Sequence, residues 1–157
     1  MYSNVDLSTR FVAVLADSAP TMPDRAVVAE VIGAALRGFP SVIADLGRDP
    51  DPDVVGRCHR VVLMTTATMC GIASARRALH RLDGVIAVPP WVVLRSHGSV
   101  GAETVAELLG AAVAAEIPER RRLGEALDVG LPPVRRRSDR LARACSGLWA
   151  AVRSEAA

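Results

Sequence analysis

The chain has no lysine at all: every one of its 19 lysine-or-arginine positions is arginine. Whatever its genomic cause (arginine codons are GC-rich, lysine codons are not), the chain has no ammonium side chain. Aromatic residues make up only 3% of the sequence while half of it is hydrophobic. The core therefore has to be built from Ala, Val, Leu and Ile, a composition that suits helices packed on a parallel sheet of short apolar strands. The three cysteines, Cys58, Cys70 and Cys145, are odd in number and form no Cys-x-x-Cys pair. They read as small buried hydrophobes rather than as a disulfide or a metal site. The histidines, His59, His80 and His97, have no ligand spacing either. A net charge of +2 is too small to argue for nucleic acid by itself. No apolar run approaches membrane-spanning length, and "MYSNVDLSTR" carries no signal-peptide core, so a cytoplasmic protein is expected.

What is present is an alternation of short apolar runs with helical stripes over a length that suits one domain, 1–157. Residues 11–15, "FVAVL", form a first expected strand, broken by "DSAPTMPD". Pro23 and Asp24 then open a helix whose apolar stripe is Val27, Val28, Val31, Ile32, Ala35 and Leu36. Gly38 and Pro40 stop it, and residues 42–44 make the next expected strand, running into Asp45. "GRDPDPDVVGRCH" reads as a loop with one helical turn, and "RVVLMTT" as a third strand. The helix "GIASARRALHRL" turns Ile72, Ala75, Leu79 and Leu82 inward. "WVVLR" and "AAVAAEIP" are the fourth and fifth strands, separated by a helix ending at Gly110. A short helix closed by Gly130 and the linker "LPPVRRR" lead to a last helix with Leu141, Cys145, Leu148 and Val152 on one face. Strands alternating with helices of this length indicate βαβ crossovers, and the expected class is α/β: a three-layer, mostly parallel sheet of about five strands flanked by helices.

In such sheets, ligands bind beyond the carboxyl ends of the strands. The residues expected there are Asp45, Thr65 with Thr66, Arg95, and residues 116–119. Singly, each has an ordinary explanation: an aspartate after a strand is often a helix cap or a turn residue, and an arginine can cover a sheet end with its aliphatic stem. Their order says more. From about Asp24 onward the chain resembles the later part of the MinD/ParA class of P-loop ATPases, most nearly its CpaE/TadZ-like branch, which includes actinobacterial septum-site and secretion-related members. "SVIADLGRD" resembles the Walker B strand of that class, with Asp45 at its end. "HRVVLMTTATMCGIASARRAL" resembles the following strand, small-residue loop and helix. By the same resemblance Arg95, at the end of "WVVLR", lies near the adenine, and Pro118 in "AEIPERRRLGEALDVGLPP" packs by the base. The resemblance covers roughly four-fifths of the chain.

The departure is at the front. ATPases of this class begin with a glycine-rich, lysine-bearing loop, because a triphosphate needs backbone N–H groups and a cation. The corresponding stretch here, "LADSAPTMPDRA", has no glycine, two prolines without N–H, and two acids, Asp17 and Asp24. The expected protein is thus a truncated MinD/ParA-like domain without ATP hydrolysis, with no cofactor beyond weak ATP or ADP contact through Arg95 and Pro118. It would serve as a non-catalytic scaffold in septum positioning or in secretion or pilus assembly. The alternative is the later part of a nucleotide-dependent ATPase whose phosphate loop comes from a missing N-terminal segment or a partner. A third reading makes Cys70, at a loop-to-helix junction, an activated nucleophile, but no Gly-x-Ser-x-Gly elbow or histidine placed to pair with it accompanies that cysteine.

"ERRRL" and "VRRRSDRLARA" hold eight of the 19 arginines. They read first as solvated helix faces, interspersed with Glu119, Glu125, Asp128 and Asp139. Contact of the C-terminal arginine-rich helix with an anionic membrane surface is the second reading, placing the protein peripheral to the membrane, and nucleic acid is the least favoured. The expected partners are another protein or a second copy of the chain, because a sheet lacking its first strands leaves an edge or face uncovered.

Overall fold

The computed structural model describes residues 24–96, 98–120, 122–134 and 139–155. The chain divides into two compact units, Met1–Gly47 and Arg48–Ala157. The expected strand at residues 11–15 and the loop after it, up to Pro23, lie outside the described residues.

In the first unit, α1 (Arg25–Gly38) is started by Asp24, whose carboxylate accepts from the Ala26 N–H at 2.9 Å. Val28, Ile32 and Ala35 are half-buried, while Val27, Val31 and Leu36 are exposed, so the apolar stripe is narrower than its sequence suggests. Residues 41–47 have no regular structure, and the strand expected at 42–44 is not formed: Ile43 is 82% exposed. The physical reason is local. Three apolar residues are caught between Pro40 and a turn in which Asp45 Oδ1 accepts from the Gly47 N–H at 3.2 Å, with Gly47 at φ 64°. That leaves too short a run to sustain a ladder.

The second unit is the α/β body. It opens with α2 (Pro52–Val55), a single turn capped by Asp51, which buries Val54 and Val55. A parallel sheet follows in the order β1 (Val62–Thr66), β2 (Trp91–Ser96), β3 (Val113–Pro118). The described residues thus hold three of the expected five strands, all of them parallel. The crossovers are α3 (Met69–Leu82) and α4 (Ala102–Leu109), followed by α5 (Leu123–Asp128) and α6 (Arg140–Glu155). Thr68 starts α3, its hydroxyl accepting from the Gly71 N–H at 3.1 Å, and Gly110 closes α4 in the left-handed conformation at φ 61°.

β2 is the central strand, and Val92, Val93 and Leu94 are fully buried, as a strand covered on both faces requires. One face of the sheet packs Val92, Leu94, Leu63 and Val113 against Ile72, Ala75 and Leu79 of α3 and Val105 and Leu109 of α4. The β1 run, apolar throughout in sequence, is not buried throughout. Leu63 and Thr65 lie on the packed side, while Val62 and Met64 are exposed, the latter by 57%. The cysteines also depart from expectation. Cys58 is half-buried, its thiol 3.5 Å from the Val54 carbonyl, but Cys70 and Cys145 are exposed and all three are free. The half-buried line of α6 passes through Leu141, Ala144, Leu148, Ala151 and Val152, so Cys145 sits beside that stripe, on the solvent side.

Candidate functional site

Register fixes which residues share the carboxyl end of the sheet. Thr66 pairs with Arg95, Arg95 with Ile117, and Ser96 with Pro118. Thr66, Arg95 and Ile117 therefore lie at one level on three adjacent strands, and Pro118 is one residue further along β3, level with Ser96 and on the opposite side of the pleat from Arg95. Arg95 is exposed and lies on the face of β2 that carries Trp91 and Val93, opposite the α3–α4 core. Asp45 is not on a strand end. It belongs to the first unit, in the turn it makes with Gly47.

The loops above the strand ends are knit tightly. Thr66 and Thr68 hydroxyls are 3.1 Å apart, and the Ala67 N–H donates to the Arg95 carbonyl at 3.3 Å. Val100 N–H donates to the Ala67 carbonyl, also at 3.3 Å. Two glycines make these approaches possible. A Cβ on Gly98, at φ 134°, would fall 1.9 Å from the Ala67 oxygen, and one on Gly71 would fall 2.3 Å from Thr66 Oγ1 and 2.5 Å from the Thr66 oxygen. The loop after β2 thus lies directly on the loop after β1. Sequence reasoning missed this contact, although the signal was present as a glycine three residues after Thr68 and another at the start of the next strand's loop.

Chemically, the strand ends offer hydroxyls engaged with one another, an exposed guanidinium and a proline ring. An exposed guanidinium can lie against a flat ring or an anion. Among the described residues no group of three or more His, Cys, Asp or Glu could hold a metal ion. Cys70 is in the first turn of α3, yet no histidine is bonded to it among the described residues. Burial pushes the Cys58 thiol above its ordinary value of 9.0, which makes it less nucleophilic at neutral pH.

A second cluster, at the amino end of the sheet, was not singled out in sequence. Arg60 lies over Trp91 with its guanidinium carbon 4.8 Å from the ring centroid. Its Nη1 donates to the Pro89 carbonyl at 3.0 Å, its Nη2 bonds the Glu155 carboxylate at the end of α6, and its Nε is buried without a partner. A basic residue immediately before an apolar strand is the only trace of it in the sequence.

The body of the chain has the architecture of a MinD-like α/β domain: a parallel sheet with helical crossovers, extending over part of the chain. The solved structure of the MinD cell division protein from Aquifex aeolicus is similar to it, with a TM-score of 0.57 at 16% identity. The likeness covers 64% of this chain and 46% of that one, so this chain matches less than half of the MinD length. At that identity the shared property is the fold. No family model matches the chain, and no curated protein matches it by sequence.

Proposed function

We propose that this protein is a non-catalytic member of the MinD-like fold that acts through protein contacts, as a scaffold or regulator. The observation that carries the reading is the absence of lysine from the entire sequence. Phosphoryl transfer in P-loop proteins is almost entirely positioning and charge stabilisation by a glycine cradle, a lysine and Mg²⁺. A chain without the ammonium lacks a main part of that apparatus. The ordered resemblance noted in sequence is the ground for proposing kinship with the CpaE/TadZ-like branch. It also supports septum positioning, or secretion or pilus assembly, as the setting. By that resemblance Arg95 and Pro118 are proposed as a vestigial adenine side, while Asp45 lies in a turn of the first unit and on no strand.

The second reading, the later part of a nucleotide-dependent ATPase, is favoured by one observation: the likeness to MinD spans under half of that protein. One experiment separates the two. Thermal unfolding is followed with and without ATP and Mg²⁺, alongside phosphate release. The scaffold reading expects no stabilisation and no turnover; magnesium-dependent stabilisation or hydrolysis by this chain overturns it. The partner is proposed to be a protein or a second copy of the chain. Peripheral membrane contact would rest on the exposed Arg140, Arg143, Trp149 and Arg153 of α6, and binding to anionic vesicles in flotation tests it.

A further inference from the structure

We propose that α6 is a strap fastened at its two ends, which opens away from β3 without unfolding the rest of the domain. The first ground is how little α6 buries. None of its 16 residues is buried, and its apolar stripe, Leu141, Ala144, Leu148, Ala151 and Val152, is only half-covered. By contrast, α3 buries Ile72, Ala75 and Leu82, and the eight-residue α4 buries Val105 and Leu109. Most hydrophobic attachment scales with apolar area removed from water, so the middle of α6 is weakly held relative to the other long helices of this unit.

The second ground is where its polar attachments fall. At the start, Asp139 accepts from the Leu141 N–H at 2.9 Å through Oδ1 and pairs with Arg120 at 2.9 Å through Oδ2. The same Arg120 Nη1 donates to the Pro133 carbonyl at 2.7 Å, tying the segment that leads into the helix. At the far end, Glu155 pairs with Arg60, which is itself held by the Pro89 carbonyl and the Trp91 ring. Both fasteners are ion pairs, and both arginines belong to the sheet body: Arg60 just ahead of β1, Arg120 just after β3.

The two ends differ in character. Arg120 and Asp139 are partly exposed, so that pair is screened as salt rises. The Arg60 side chain is only 10% exposed. When Glu155 leaves, Arg60 keeps a buried charge whose carboxylate is gone, while its Nε already lacks a partner. Opening uncovers the β3 face that register places beside Val93 and Arg95, carrying Ala115 and Ile117, while α4 and the main core stay on the other face.

Amide hydrogen exchange of the whole chain tests this, with the α3 amides as internal reference. Arg120→Gln and Glu155→Gln each remove one fastener while leaving the Asp139 cap in place. The expected result is exchange over residues 140–155 about two- to fivefold faster in each variant, with the effects multiplying in the double variant and α3 unchanged. In the unsubstituted protein, raising salt from about 0.05 to about 0.5 M should accelerate α6 alone. If α6 and α3 respond together in every variant, α6 is part of the global unit and the strap is overturned. It is equally overturned if neither substitution nor salt changes α6 protection.

Discussion

At the scale of single residues, glycines decide local stability here in opposite directions. Gly98 and Gly71 admit no side chain: each Cβ would enter the space of a backbone oxygen. Gly98→Ala adds the cost of a positive φ to the clash and is expected to destabilise by at least about 1–3 kcal/mol, with Gly71→Ala in a similar range from overpacking. Gly147, inside α6, and Gly124, inside α5, have nothing within 4 Å of an added Cβ and no positive φ. Their alanine variants should be more stable by about 0.5–1 kcal/mol in denaturant unfolding, because alanine loses less backbone freedom in a helix. Cys58 gives a pH-dependent expectation. Its folded thiol titrates above the ordinary value because burial disfavours the thiolate. The folded state then holds its proton at a pH where the unfolded state has lost it. The stability contribution is complete below the ordinary thiol pKa and is lost as pH rises toward the raised one. Alkylation at mildly alkaline pH should modify Cys70 and Cys145 first and Cys58 last, as peptide mapping will show.

At the scale of elements, the strands of the second unit were legible because each is an apolar run long enough to be unambiguous. "RVVLMTT", "WVVLR" and "AAVAAEIP" became β1, β2 and β3 with boundaries shifted by no more than two residues at either end. The run at residues 42–44 has a strand's composition but not its length, since it is confined between Pro40 and the Asp45–Gly47 turn. The exposed Ile43 and the Asp45–Gly47 turn record the outcome. Arg95 and Pro118 were legible as strand-end residues through their spacing from apolar runs. The Arg60 cluster was not, since it joins positions 29 and 95 residues apart through Pro89 and Glu155, a relation that no local pattern encodes. Capping is more local, and its effect is easier to foresee. Thr68→Ala removes the acceptor for the Gly71 N–H and should cost about 1 kcal/mol, while Thr68→Ser should restore most of it, measured by thermal unfolding.

At the scale of the whole molecule, chain length and fold set the remaining expectations. The likeness to a MinD structure covers 64% of the chain, and no helix among the described residues is long and apolar enough to cross a membrane. A protein that works through contacts rather than turnover should bind its partner equally well with and without nucleotide. If the proposed partner is a second copy, the chain should scatter light as a particle well above its 16.6 kDa mass; a persistent monomer overturns that form of the proposal. The stacking of Arg60 on Trp91 has one more consequence. The two indoles sit in unlike surroundings, Trp91 half-covered beneath a guanidinium and Trp149 38% exposed on α6. Acrylamide should therefore quench a red-shifted emission from Trp149 before it reaches Trp91, giving the protein a built-in optical gauge that distinguishes its carboxy-terminal helix from its central strand.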